Sequence, residues 1–589
     1  MEKDRGDPGH RCRGILFLHL VPMNRKYESV RIGIFLVTGL LLVALYVIAF
    51  LCLDKDLKSI FDEGFFFLCF KPRASFTAFT QPLSLGNDVL TAFFPGMAHW
   101  DILSLRRFSF FLKLTGLAAM LSSSVFFVRK QRRPESRDSY LLLVLCILLM
   151  GLVVIPSVVV SLNDELLFCE MLVLSLCLTA VSLSNKWMEA VLACLVGVVS
   201  FFAMLCNAPG GGMLFLLSVL FLVFYPAIQW PDRIRAAIFA MAGIFLGVGI
   251  MHLWVISIPD CLGFVKEALA LTSGSGAGAH HSLSKLMVSI LLNIRDLIIT
   301  VVSLSGITYV SRLAGRYFKK SWLEVVVGMF LFVIYYKWQV KPGIGFANIM
   351  TWLFLMTVIF YGERKPVPVR DWVLLLFLFL LPFCLSLGSN SGFVFKSKTV
   401  IVPWGILLFL MIEMTEETKP YRSLILYLFV FTFIMISPGR YLVKCLSRDS
   451  YHFDQEAPIA RMDLSRAQSD FYEEVHGVLE EYGFKSRQDT LLGFCFNEMT
   501  VVAMDAVPYT NDQYPEEFLR HQGRLPRPSF LILGRWDEKV VSSFLESMDW
   551  RLSEDYDAVQ LKSNPDPHSS YSKDSQSTLY CLKARKRQE

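Results

Sequence analysis

Charged residues are scarce in this chain of 589 residues. Asp, Glu, Lys and Arg make up 18% of it, whereas soluble domains carry about 25%. Hydrophobic residues reach 54% and the mean hydropathy is +0.49. The basic residues are scattered over short connections between apolar stretches and form no basic surface of the kind that binds nucleic acid. The composition therefore predicts a membrane protein.

Several catalytic and metal-binding motifs are also missing. The sequence has no GxSxG, no HExxH and no phosphate-binding glycine loop, which argues against common membrane hydrolases and ATP-driven pumps. It has thirteen cysteines but no CxxC spacing, and several of them lie inside apolar runs. We interpret the cysteines as small buried apolar residues and expect neither a disulfide framework nor a metal site.

Long apolar segments are abundant. A helix needs about 20 residues to cross the hydrocarbon core, and thirteen segments approach or exceed that length. They are 32–53, 105–128, 139–160, 166–183, 188–206, 212–229, 235–258, 286–310, 321–337, 345–361, 372–388, 399–413 and 422–438. Arg295 and Asp296 interrupt the eighth segment, so part of 282–295 could instead lie along the interface. An apolar stretch at 14–21 is too short to span, and translation starting at Met23 would give the first span a normal basic start.

Lys and Arg set the expected orientation, because they are enriched in cytoplasmic loops. With the N-terminus inside, seventeen lie in inner loops: Arg129, Lys130, Arg132, Arg133, Arg137, Lys186, Arg233, Arg235, Arg312, Arg316, Lys319, Lys320, Arg364, Lys365, Arg370, Lys419 and Arg422. The five in short outer loops are Lys266, Lys337, Lys341, Lys396 and Lys398. This bias predicts a cytoplasmic segment 1–31, a membrane domain 32–438 with a first outer loop 54–104, and an extracytoplasmic C-terminal domain 439–589.

The C-terminal part has the composition of a soluble domain. Leu464, Phe471, Val475, Leu479 and Tyr482 fall on one stripe of a predicted amphipathic helix. The runs TLLGFCF, SFLILG and STLYCLKA are typical of strands, and a second helix is predicted over 538–548 with Asp537 as its cap. The fold class that we predict is mainly α, with about thirteen transmembrane helices and a small extracytoplasmic α/β domain.

The first outer loop contains FDEGFFFLCF, in which Asp62 and Glu63 precede an aromatic run. The pair lies where the first span leaves the lipid, and the run that follows suits the membrane interface. A carboxylate there could deprotonate an acceptor hydroxyl, or bind a divalent cation that bridges to phosphate. Alternatively, Asp62 or Glu63 could simply cap the helix that follows.

With its acidic pair in a long first outer loop, its thirteen spans and its outer C-terminal domain, the chain resembles the GT-C glycosyltransferases. It is most similar to protein O-mannosyltransferases, lipid A aminoarabinose transferases and their bacterial relatives. The resemblance implies that Asp62 is the catalytic base and that Glu63 orients Asp62 or the acceptor. It also implies a polyprenyl-phosphate sugar donor and a lipid, glycan or protein acceptor, in a bacterial inner membrane. No cofactor is implied with certainty, although a divalent cation is compatible with the carboxylates.

Other family features can be transferred to particular positions. A second acidic site matches Asp164 or Glu165 in SLNDELLF, where capping of a helix is the alternative. Arg106 and Arg107 could bind the donor phosphate or act as interfacial anchors. Asn207 stands where relatives often carry a cation, so Lys341, Lys396 or Lys398 could supply that charge instead. The alternative functions are a lipid or polysaccharide transporter or flippase, a surface-polysaccharide polymerase or ligase, and a non-catalytic scaffold.

Overall fold

The computed structural model describes most of the helical part and most of the C-terminal domain. The described residues are 25–55, 63–70, 85–131, 137–154, 160–225, 230–273, 283–319, 321–339, 353, 356, 368–387, 400–414, 451–453, 457–493, 497–509, 527–546, 549–564 and 577–585.

Helices dominate the part of the chain that precedes residue 415. They are α1 Arg25–Leu51, α2 Glu63–Cys69, α3 Gly86–Phe93, α4 Ile102–Gln131, α5 Arg137–Val154, α6 Leu162–Ala180, α7 Lys186–Cys206, α8 Ala208–Phe224, α9 Trp230–Trp254, α10 Ile258–Ser273, α11 Leu283–Tyr317, α12 Ser321–Gln339, α13 Val369–Leu385 and α14 Trp404–Glu413. A 3₁₀ turn, Pro95–His99, follows α3. The expectation of a mainly helical chain is confirmed.

Eleven of the thirteen predicted segments coincide with helices, and the other two, 345–361 and 422–438, lie almost entirely outside the described residues. Within the described part, four helices are long and apolar enough to cross a membrane: Ile102–Gln131, Lys186–Cys206, Pro231–Trp254 and Ile290–Tyr317. The eighth segment is one continuous helix that runs through Arg295 and Asp296. The count of thirteen spans stays a prediction.

Hydrogen bonds join helix ends that the charge bias assigns to the same side. Asn207, between α7 and α8, donates its Nδ2–H to the carbonyl of Leu387 over 3.1 Å. Asn207 lies in a predicted outer loop, and Leu387 lies at the predicted outer end of segment 372–388. At the opposite end, Gln131 donates its side-chain amide to the carbonyl of Val181 over 2.9 Å. These bonds are consistent with the predicted alternation of inner and outer loops.

Close helix contacts explain two glycines of the bundle. α7 and α9 pack so closely that a Cβ on Gly197 would collide with the carbonyl oxygen of Ala240, and one on Gly243 with that of Cys194. Between α7 and α8 the chain reverses within one residue, because Asn207 ends one helix and caps the next. α8 therefore begins at Ala208, four residues before the predicted segment.

The C-terminal domain is a five-stranded sheet with helices. Its elements are α15 Arg466–Glu481, β1 Thr490–Gly493, α16 Glu498–Ala503, β2 Val507–Pro508, β3 Phe530–Leu533, α17 Arg535–Glu546, α18 Leu552–Asp555, β4 Tyr556–Gln560 and β5 Thr578–Leu582. The strand order is β2-β1-β3-β5-β4, in which β1 is parallel to β2 and β3, and β5 is antiparallel to β3 and β4.

The prediction of a small α/β domain is confirmed. All five stripe residues of the amphipathic helix region are buried, and a capping box of Ser465 and Gln468 starts α15. The predicted strands correspond to β1, β3 and β5, whereas β2 and β4 were not predicted. The second helix begins at Arg535, so Asp537 lies within its first turn and the prediction of Asp537 as its cap is wrong.

Candidate functional site

Glu63 is the first residue of α2 and forms a buried ion pair with Arg106 of α4. Arg106 donates its Nε–H to Oε1 and an Nη2–H to Oε2 of Glu63, each over 2.7 Å. The two residues are 1% and 0% exposed. Two parallel charge-assisted hydrogen bonds of this kind fix the orientation of a carboxylate. Asp62 lies outside the described residues, directly before this fixed position in the chain.

Arg106 also binds the end of the first long helix. Its Nη1 donates to the carbonyl oxygens of Leu53 and Lys55 over 2.8 and 2.9 Å. Its guanidinium thus connects the chain after α1 with the start of α2. A donor phosphate could bind Arg106 only by displacing Glu63, whereas the neighbouring Arg107 is exposed. Binding of the donor phosphate by Arg106 or Arg107 stays a prediction.

Asp164 belongs to the N-terminus of α6. It forms a capping box with Ser161, and its Oδ1 lies 2.7 Å from Nζ of Lys113. Ser109 donates to its Oδ2 over 3.3 Å. Asp164 thus caps α6, which is the alternative to a functional role, and it also forms an ion pair with Lys113. Lys113 was not among the predicted site residues. Its position in the apolar run FFLKLTG could have indicated an ion pair, because a charge buried in the membrane needs a partner.

Glu165 contacts the predicted first outer loop, 54–104. Its Oε2 accepts from Sγ of Cys206 over 3.2 Å and lies so close to Gly86 of α3 that a Cβ on this glycine would overlap it. Asn87, next to Gly86, is 1% exposed. The second acidic site is therefore packed against the same loop that carries the Asp62-Glu63 motif.

The C-terminal domain contacts the predicted first outer loop, 54–104, at several residues. Gly64 packs against the backbone at the start of α16, Lys55 forms an ion pair with Asp463, and Ile102 donates its N–H to the carbonyl of Pro458 over 3.3 Å. Burial raises the pKa of Tyr472 on α15, and the negative charge of Glu63 raises it further. The acidic motif and the C-terminal domain are consequently parts of one packed region.

Lys341, Lys396 and Lys398 lie outside the described residues. Among the residues that the structure describes, no group of three or more His, Cys, Asp or Glu side chains could hold a metal ion. The carboxylates of Glu63 and Asp164 form ion pairs with Arg106 and Lys113, respectively.

Comparisons of the chain with protein-family models, curated proteins and solved structures gave no match.

Proposed function

We propose that the chain is a polytopic membrane glycosyltransferase of the GT-C kind. It moves a sugar from a polyprenyl-phosphate donor to a lipid, glycan or protein acceptor at the outer face of the membrane. The observation that carries this proposal is the fixed position of Glu63, next to Asp62, between the helical part and the C-terminal domain. A carboxylate at the membrane interface can deprotonate an acceptor hydroxyl there.

In this reaction Asp62 acts as the general base. Its carboxylate takes the proton of an acceptor hydroxyl, and the oxygen attacks C1 of the sugar from the face opposite the phosphate. The bond from C1 to the phosphate oxygen breaks, so the polyprenyl phosphate leaves and the configuration at C1 is inverted. Glu63 is bound by Arg106 and has the role of orienting the motif.

Cations near the site would stabilise the leaving phosphate. The candidates are Arg107, which is exposed, and Lys341, Lys396 and Lys398, which lie outside the described residues, because Arg106 is engaged by Glu63. Asp164 and Glu165 form the second acidic site, which holds the first loop against α6.

The proposed topology has thirteen spans, a cytoplasmic N-terminus and an outer domain from residue 439 onward, in a bacterial inner membrane. It is supported by the four long apolar helices and by the contact between the first loop and the C-terminal domain. That contact requires both to lie on the same side of the membrane.

A transporter or flippase is the second candidate, because Glu170 of α6 is fully buried and neither of its carboxylate oxygens has a hydrogen-bond partner within the described residues. Intramembrane acidic residues often mark transport pathways. Against this, Arg295 of the Arg295-Asp296 pair, the other feature that a transporter could use, is exposed on α11. A Glu170→Gln variant with wild-type glycan production would remove the support for transport.

The proposal is tested by comparing the lipid, polysaccharide and protein glycans of a strain that lacks the gene with those of its parent by mass spectrometry. We expect one glycan to lack a single sugar residue in the deletion strain. Identical glycans in both strains would contradict the proposal. Loss of a whole polymer, with its monomer units accumulating on lipid carrier, would favour the polymerase or ligase alternative.

A further inference from the structure

The helix α10 starts almost directly after α9, because only residues 255–257 separate the two helices. Ser257 caps α10, since its hydroxyl accepts the N–H of Asp260 over 3.3 Å. The N–H of Ile258, the first residue of α10, donates to Nδ1 of His252 over 3.2 Å. The chain therefore ends one helix and begins another at this point instead of extending α9.

The length of α9 brings the start of α10 to the surface of the membrane. Its apolar part, Pro231–Trp254, has 24 residues, and its most apolar stretch has a mean hydropathy of 2.1. At about 1.5 Å per residue this part is about 36 Å long, which exceeds the hydrocarbon core of about 30 Å. Leu253 and Trp254 at its end are exposed, and tryptophan is enriched at the level of the lipid headgroups. If α9 spans the membrane, α10 consequently begins at this level.

An apolar stripe on α10 is exposed. Ile258, Leu262 and Val265 follow one another at intervals of four and three residues, so they lie on one face of the helix. Their exposed fractions are 39%, 63% and 47%. Cys261, on an adjoining face, packs against an apolar cluster that includes Leu85, next to α3. This contact leaves the stripe largely open among the residues that the structure describes.

Exposed polar positions lie on the other faces of α10. With 3.6 residues per turn, Asp260 and Gly263 lie opposite the stripe and Lys266 lies at its border. A lysine at such a border can extend its apolar stem along the lipid while its ammonium group reaches an anionic headgroup. This distribution of apolar and polar residues is that of a helix lying in the plane of a membrane surface.

We propose that α10 lies in the plane of the membrane and binds the phospholipid surface through Ile258, Leu262 and Val265. Phospholipid is the occupant because the stripe starts four residues beyond Trp254, at the exposed apolar end of α9. Contact with lipid removes the three apolar side chains from water, which is favourable. Through Cys261, α10 then holds the start of α3 at a fixed depth. This binding requires that α9 spans the membrane, and it does not depend on sugar transfer.

The test measures which face of α10 meets lipid. A nitroxide amino acid replaces Leu262, Val265 or Gly263, one at a time, in the full chain, which is reconstituted in vesicles of phosphatidylethanolamine and phosphatidylglycerol. Gly263 is the matched control, because it is exposed on the same helix and a Cβ there would meet no atom within 4 Å. Power saturation of the electron paramagnetic resonance signal compares collisions with oxygen, which concentrates in lipid, and with a nickel chelate, which stays in water.

We expect oxygen collisions to exceed nickel collisions at Leu262 and Val265, and the ratio to reverse at Gly263. An excess of nickel collisions at all three positions would place the stripe in water and overturn the proposal. An excess of oxygen collisions at all three positions would place α10 inside the hydrocarbon and would also overturn it. Shielding of Leu262 and Val265 from both reagents would show that a protein surface covers the stripe.

A second measurement uses the membranes of the producing cells. A benzophenone amino acid replaces Leu262 or Gly263, and the adducts that form on irradiation are identified by mass spectrometry. Phospholipid adducts at Leu262, and far fewer at Gly263, are expected. Adducts at Leu262 that join two copies of the chain, or the chain and another protein, would contradict the lipid as occupant.

Discussion

Arg106 of α4 and Glu63 of α2 form a buried ion pair with two hydrogen bonds of 2.7 Å. The partners are 43 positions apart in the sequence. Removing one partner of such a pair leaves an uncompensated buried charge. The pair therefore determines where the acidic motif lies relative to the helical part.

The first prediction concerns this pair. Arg106→Gln should lower the free energy of unfolding by about 3–5 kcal/mol, because Glu63 would stay buried without its cation. Arg107→Gln is the control, since the neighbouring arginine is exposed and should change stability by about 0.5 kcal/mol at most. Thermal unfolding of the purified chain in detergent measures both, and equal effects of the two substitutions would contradict the prediction.

The second prediction separates capping from charge at the start of α6. Ser161→Ala removes the cap and should cost about 1 kcal/mol. Asp164→Asn also takes the carboxylate from Lys113, whose side chain is 4% exposed, and should cost about 3 kcal/mol. The comparison is made by thermal unfolding. If Asp164→Asn leaves the stability unchanged but abolishes sugar transfer, the result would instead assign Asp164 a direct role in the reaction.

The third prediction concerns helix packing. Gly243→Ala should destabilise the contact of α9 with α7 by about 1–3 kcal/mol, because the added methyl group would collide with the carbonyl of Cys194. Gly249→Ala lies on the same helix and would meet no atom within 4 Å. We expect a lower melting temperature for the first variant alone. Equal melting temperatures of Gly243→Ala and Gly249→Ala would contradict the close contact between α7 and α9.

The fourth prediction is a pH dependence of the C-terminal domain. Partial burial alone would raise the pKa of Glu474, but the N–H groups of Lys562 and Ser563 donate to its oxygens over 2.8 and 2.9 Å and outweigh burial. The net effect lowers the pKa of Glu474 from its usual 4.5. A lowered folded-state pKa means that the carboxylate stabilises the fold above the unfolded pKa and loses this contribution as the pH falls through the folded pKa.

Glu474→Gln should therefore be less stable than the wild type at pH 7, and the difference should shrink as the pH falls below 4.5. Thermal unfolding across this pH range measures the effect. A difference that stays constant down to pH 3 would show that the two N–H groups do not favour the charged form of Glu474.

Local patterns of the sequence predicted much of the fold. Hydropathy located eleven of the helices, and the stripe from Phe471 to Tyr482 located the helix of the C-terminal domain, because burial of one face leaves a periodic trace in the sequence. β4 escaped prediction because only Tyr556, the first residue of its sequence YDAVQ, is buried, and the other four positions are partly or fully exposed and show no strong apolar pattern.

Less of the candidate site could be predicted. The acidic residues were visible, but their partners were not, because pairing of Glu63 with Arg106 depends on how distant segments pack. Contact of Gly64 with α16 joins residues more than four hundred positions apart and leaves no local trace other than a glycine. The lone Lys113 in an apolar run was the one partner that its sequence context could have indicated.

The most direct measurement is sugar transfer by the Asp62→Asn chain in a strain that lacks the gene, with Glu63→Gln beside it and the folded amount of each protein determined. The account predicts that Asp62→Asn folds like the wild type and forms no sugar product, since the amide cannot accept the acceptor proton. Glu63→Gln should lose stability and part of the product, because Arg106 would lose its buried carboxylate. Full product with Asp62→Asn would contradict the account.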